Sequence, residues 1–197
     1  HAIMNIIEPI LISRFTTDTY SCIKGRGIHC AAKKLKHILK VDPENTKYCL
    51  KLDIKKYFPS VDQDIMMDQF RRVFKDKKFL KLISEIIYST DKGLPIGNYI
   101  SQFAANLYLT WFDRFVKQDL GIKHYFRYCD DIVLLSSNKE ELHNAYNKIV
   151  EYLHNNLKLT VKDDWQIYLI DDRGLDFLGY VFRHTSVKLR KDMKKRF

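Results

Sequence analysis

An α+β fold, an antiparallel sheet backed by helices, is predicted by three observations. Helical and strand periodicities alternate along the chain without repeats or low-complexity tracts. The candidate strands are short runs bounded by Gly, Pro, Asn and Asp. Two of them, KHYFRY and DIVLLS, turn into one another at Cys129 and Asp130, as in a hairpin. With 197 residues and 46% hydrophobic content, the chain can bury one substantial core, or one core with a small appendage.

Each element follows from local pattern. AIMNIIEPILISRF reads as an opening helix to Arg14, and TTDTYSCIKGRG as a polar loop. GIHCAAKKLKHILK is amphipathic, with Ile28, Ala31, Ala32, Leu35 and Ile38 on one face and lysines on the other. VDPENT ends it in a turn. KYCLKLDI alternates as a strand, Tyr48, Leu50, Leu52 and Ile54 toward the core and Cys49, Lys51 and Asp53 away from it. Pro59 stops that strand, and Asp62 is placed to cap a helix whose stripe is Met66, Met67, Phe70, Val73 and Phe74. Further helices are expected from Lys78 to Tyr88, from Tyr99 to Val116 after the loop DKGLPIGN, and from Lys139 to Asn155. In the last of these Leu142, Ala145, Ile149 and Leu153 face inward. LKLTV, QIYLI and LDFLGYVF are three closing extended pieces.

Lys and Arg number 34 against 24 Asp and Glu, and the net charge of +10 favours a polyanionic partner such as nucleic acid or an acidic membrane surface. Cys22, Cys30, Cys49 and Cys129 form no CxxC pair, which suggests neither a zinc site nor a disulfide framework and fits a reducing cytoplasm. No apolar stretch reaches the roughly 18 residues that a membrane span requires. The chain begins at His1 inside a helical pattern, as a segment of a longer protein would.

The constellation with chemistry is Asp53 together with Asp130 and Asp131. If the strands carrying them are neighbours, three carboxylates meet at one sheet edge. Carboxylates there repel and lose hydration unless a cation lies between them, and hard oxygen ligands suit magnesium completed by phosphates and water. An isolated Asp-Asp in a turn is ordinarily solvated surface, so the surrounding motifs decide.

Those motifs resemble the palm of a reverse transcriptase. KLDIKKYFPSVD is similar to the family's first catalytic strand, GLPIGNYISQ to its substrate-positioning loop and helix, RYCDD to its YxDD hairpin, and GLDFLGYVF to its primer-grip region. The order is kept over nearly the whole chain. The resemblance implies a right-hand polymerase palm over residues 46–197 with partial fingers over 1–45. The upstream fingers hairpin and the downstream thumb are expected to be missing, and the segment alone to polymerise poorly.

By the same resemblance Asp53 and Asp130 would be the principal metal ligands, Ile54 would offer its carbonyl, and Asp131 a supporting carboxylate. Two magnesium ions, or manganese, would serve nucleotidyl transfer from deoxynucleoside triphosphates to a primer 3′ end. Phe58 would lie under the incoming sugar and exclude a 2′ hydroxyl, although the same ring suits a core. Gly93, Gly97, Ser101 and Gln102 would let the loop approach nucleotide and template, although the spacing alone suits a turn entering a helix. Tyr128 would lie near the primer terminus. Lys24, Arg26 and Arg127 would grip nucleic acid; Arg127 could equally hold the aspartates by charge. The run Lys33, Lys34, Lys36 and Lys40 reads as a solvated helix face. Trp165 stands near the place of a family lysine that donates a proton to pyrophosphate, with Lys162 as its candidate substitute.

Ile96 and Gln102 depart from the usual glutamine and proline of the second motif, and IGxxxSQ resembles the form found in diversity-generating retroelements. That group implies an RNA template, a DNA or RNA primer and a basic accessory protein. The rival readings are a group II intron, retron or phage-defence reverse transcriptase and, in another class, a non-catalytic RNA-binding module with the same fold.

Overall fold

The computed structural model describes residues 2–194. Helix α1 (Ala2–Arg14) leads through an irregular loop to α2 (Ile28–Val41), followed by a short 3-10 turn (Glu44–Thr46) and strand β1 (Tyr48–Asp53). The chain continues through α3 (Tyr57–Ser60), α4 (Gln63–Val73) and α5 (Lys77–Ile87). As expected, Asp62 caps α4 by accepting from the Ile65 amide at 3.0 Å, and Asp76 caps α5 in the same way. The expected helix over 99–116 is divided into α6 (Tyr99–Tyr108), α7 (Thr110–Arg114) and a π-helical turn (Phe115–Asp119). At the break the Thr110 hydroxyl donates to the Asn106 carbonyl at 3.0 Å, a back-bond of the kind that bends helices.

Strands β2 (His124–Tyr128) and β3 (Asp131–Ser136) form the expected hairpin, and α8 (Lys139–Leu157) starts at an Asn138 cap. LKLTV contributes only a single bridge, Val161 to Ile54, because β4 (Gln166–Leu169) takes the edge of β1 instead. After α9 (Ile170–Arg173), the expected strand LDFLGYVF is a hairpin, β5 (Leu175–Phe177) and β6 (Tyr180–Phe182). Leu178 and Gly179 both have positive φ, +56° and +83°, which reverses the chain in two residues. β7 (Val187–Leu189) completes this small sheet before α10 (Lys191–Lys194).

The main sheet has the antiparallel order β2-β3-β1-β4, and β1 lies inside it. Leu50, Leu52 and Ile54 project into the larger core with residues of α1, α4, α5, α6 and α8. The opposite face is not a solvent face. Cys49, Phe126, Val133 and Leu135 are buried there against Ala31, Leu35 and Leu39 of α2 and Leu175, Phe177 and Phe182 of the small sheet. Ile28, expected inside, is 39% exposed, and Leu39 takes its role. Lys51 and Asp53 emerge, partly exposed, at the end of that second face.

Candidate active site

The pairing of β1 with β3 places Asp53 directly opposite Asp131, and the Ile54 amide donates to the Asp130 carbonyl at 3.3 Å. Asp53 therefore meets the sequence-remote pair Asp130 and Asp131 at one sheet edge, as the sequence led us to expect. The turn between β2 and β3 consists of Cys129 and Asp130 alone, with Cys129 at φ +58°. Asp53 and Asp131 side chains are 29% and 25% exposed.

Burial, and then the neighbouring Asp53 charge, raise the Asp130 carboxyl above the usual range. Asp131 is pushed up to about 6, by burial first and by Asp53 and Asp130 after it, with Lys51 opposing. Lys162 Nζ stands 2.5 Å from Asp53 Oδ1, and this contact raises the lysine's own pKa. Lys51 Nζ lies 3.6 Å from Asp131 Oδ2 and donates to the Asp176 carbonyl at 2.7 Å, joining the main sheet to the small one. Lys51, Asp53, Lys162 and Asp176, with Gln166 and Arg173, border a cleft of about 290 Å³ that Asp130 and Asp131 do not line.

Asp131 Oδ1 is shielded from solvent without a hydrogen-bond donor, and Asp53 Oδ1, equally shielded, has only the Lys162 ammonium beside it. Such oxygens are costly unless a cation satisfies them. Among the described residues no group of three His, Cys, Asp or Glu side chains forms a ready-made cage. That donor set fits magnesium, which binds through one or two carboxylates together with substrate phosphates and water.

The other expected site residues fall into two groups. Phe58 follows Lys56, which at φ +47° turns the chain out of β1; its ring is half-buried, edge-on to Tyr57 at 5.8 Å. The DKGLPIGN loop docks on it, the Leu94 amide donating to the Phe58 carbonyl at 3.0 Å. Gly97 and Gln102 are exposed, Tyr128 is partly buried at the end of β2, and Lys24 is exposed in the loop before α2.

Others are committed to the protein itself. The Ser101 side chain is buried and donates to the Pro95 carbonyl at 2.6 Å, so it shapes the loop. Arg26 donates to the Thr16 carbonyl at 3.1 Å. Lys34 is no solvated lysine, for it pairs at 2.6 Å with the buried Asp18. Trp165 stacks on Tyr146 at 3.7 Å.

Arg127 departs furthest from expectation. It is fully buried and pairs with Asp113, so it neither grips a phosphate nor neutralises the aspartate cluster. Asp113 was not singled out in the sequence. Its signal was there: a lone acid on the apolar helical stripe of Leu109, Phe112 and Val116 must find a buried partner.

Residues 1–182 match the family model described as reverse transcriptase (RNA-dependent DNA polymerase). The chain belongs to the reverse transcriptase family. The resemblance drawn from the four motifs is thereby borne out at the family level. Retron Ec73 reverse transcriptase of Escherichia coli is 31% identical over 133 residues, which are 61% of this chain and 40% of that protein. A putative COX1/OXI3 intron 1 protein of Saccharomyces cerevisiae is 20% identical over 128 residues, 59% of this chain and 15% of that one. The fold is shared with apo telomerase from Candida tropicalis at a TM-score of 0.73 and 12% identity, covering 95% of this chain and 40% of that one. This member of the family spans about 40% of the length of its retron relative. Among its described residues no helix is long and apolar enough to cross a membrane.

Proposed function

We propose that this chain supplies the nucleotidyl-transfer core of an RNA-directed DNA polymerase, with residues 46–197 as palm and 1–45 as part of the fingers. One observation carries the reading: β1–β3 pairing sets Asp53 against Asp131 beside Asp130, with Asp131 Oδ1 shielded and lacking a donor and Asp53 Oδ1 met only by the Lys162 ammonium. Asp53 and Asp130 are the principal ligands in this reading, with the Ile54 carbonyl and Asp131 in support. Two magnesium ions, or manganese, held by these residues would supply the Lewis acidity for in-line displacement of pyrophosphate by a primer 3′ hydroxyl. Lys162, 2.5 Å from Asp53 Oδ1, occupies the side of that carboxylate which a cation would share. Phe58 walls the sugar pocket and favours deoxynucleotides, its position fixed by Tyr57, whose hydroxyl donates to the Ala105 carbonyl at 2.6 Å. Tyr128 and exposed bases such as Lys24 line the path of an RNA template and its DNA or RNA primer.

The test is primer extension on an RNA template with deoxynucleotides and magnesium. Asp53→Asn and Asp130→Asn should each lower incorporation about a hundredfold or more at unchanged Tm, since metal-borne charge stabilisation is worth several kcal/mol. Extension by Asp53→Asn at the parent rate would overturn the reading.

The finer assignment is to a diversity-generating retroelement, with a basic accessory protein as a further partner. Ile96 supports it, being 85% exposed in the loop at the place where the family resemblance implies glutamine. The 31% identity to a retron enzyme favours a retron-type enzyme as the second reading. Errors concentrated opposite template adenine would support the first; errors spread over all template bases would support the second.

A further inference from the structure

A buried polar knot sits directly behind the aspartate hairpin, and the chemistry above makes no use of it. Its centre is the pair Arg127 and Asp113, both 0% exposed. Arg127 Nε donates to Asp113 Oδ1 and Nη2 to Oδ2, each at 2.7 Å. The same carboxylate accepts from the Tyr125 hydroxyl at 2.6 Å and from the Thr19 hydroxyl at 3.0 Å. The remaining edge of the guanidinium points at the turn: Nη1 donates to the Cys129 carbonyl at 3.0 Å and to Asn106 Oδ1 at 3.1 Å. Asn106 is itself anchored by its amide on the Ser21 carbonyl at 2.7 Å. The backbone of Arg127 is clamped as well, its amide donating to Asp18 and its carbonyl accepting from Tyr20.

Stability is a poor reason to keep such a pair, because a buried ion pair returns little more than its desolvation cost and apolar residues of similar volume serve as well. What apolar residues cannot supply is a rigid, charge-assisted donor aimed at one carbonyl. That carbonyl belongs to Cys129, a Cβ-bearing residue at φ +58°, a conformation the chain does not hold without support. Asp130 follows it immediately, and Asp131 opens β3.

We propose that Arg127 is a positioning residue: through the Cys129 carbonyl it holds the two-residue turn in the shape that presents Asp130 and Asp131 beside Asp53, and Asp113 orients it for that task. The consequence for metal rests on the polymerase reading above; the control of the turn does not.

Three variants test it. Arg127→Met removes the guanidinium and strands Asp113. Asp113→Leu combined with Arg127→Met replaces the whole pair by apolar residues. Arg127→Lys keeps a charge for Asp113 but lacks the forked edge that reaches Cys129. Hydrogen exchange of the metal-free chains is followed in a peptide covering residues 126–133, with a peptide from α8 as control, and manganese affinity is read by electron paramagnetic resonance. Arg127→Met should lose roughly 10 °C in Tm, and the double variant should regain only part of it, because the Tyr125 and Thr19 hydroxyls and Asn106 lose their buried partners as well. All three should exchange hairpin amides faster by about tenfold while α8 is unchanged, and should bind manganese at least about tenfold more weakly. Parent-like hairpin exchange in the double variant or in Arg127→Lys would overturn the proposal and leave the pair a core element only. Faster hairpin exchange in a protein whose parent binds no manganese would sustain the positioning role and sink the polymerase reading instead.

Discussion

Gly93 and Gly97 lie in one loop and have φ of +71° and +86°, yet they answer to different constraints. A Cβ at Gly93 would stand 2.5 Å from the Phe58 carbonyl oxygen and 2.6 Å from Pro59 Cα, both backbone atoms, whereas at Gly97 it would meet nothing. The sequence led us to expect that both glycines admit nucleotide and template; Gly93 instead admits the turn that carries Phe58. Gly97→Ala should cost about 1 kcal/mol, the strain of a left-handed alanine. Gly93→Ala should cost more than about 2 kcal/mol, since a backbone segment must move as well. Urea midpoints of the two variants check this, and equal losses would show that close packing against Phe58 plays no part.

At the scale of elements, Asp42 fastens the end of α2 to the start of β2. A carboxylate at a helix C-terminus is unfavourable by itself. Here it accepts from Lys123 Nζ at 2.6 Å and Asn45 Nδ2 at 2.7 Å, and pairs with His124 Nε2 at 2.8 Å. The Lys123 hydrogen bond first, then those of His124 and Asn45, hold its carboxyl well below the usual carboxylate range. A depressed folded-state pKa adds stability that is fully present above the unfolded value of about 3.9 and is lost as pH falls below it. Asp42→Asn should therefore lower Tm at neutral pH, and the gap to the parent should narrow below about pH 4. A gap independent of pH would mean that geometry rather than charge makes the contact. Element boundaries were legible where caps are local, as at Asp62; Pro59, expected to stop the strand, instead lies in α3, since β1 already ends at Asp53 and Lys56 at positive φ turns the chain. Boundaries were not legible at the Tyr99–Val116 helix or in LDFLGYVF, where a back-bonding threonine and a leucine at positive φ broke patterns that look continuous.

For the whole molecule, the net charge of +10 is the property most directly tied to a nucleic-acid partner. Some of the 34 basic side chains face inward without altering that net charge, since Lys34 and Lys117 both pair with the buried Asp18, and Arg127 pairs with Asp113. The remaining exposed bases should still make binding of an RNA–DNA duplex steeply salt-dependent. If about six phosphates are contacted, affinity should fall about a thousandfold between 50 and 200 mM salt, by fluorescence anisotropy. A change under about tenfold would exclude a phosphate-dominated interface.

The sequence by itself determined the class of fold, most strand and helix positions, and the three aspartates, because periodicity, caps and a two-residue turn are written in neighbouring residues. Only the tertiary structure decided where the charges are spent: Lys162 on Asp53, Lys34 on Asp18, and Arg127 inward on Asp113 rather than outward on a phosphate. The partner of a charge is chosen by burial and by strand register, which join residues far apart in the chain, and local pattern carries no record of that choice.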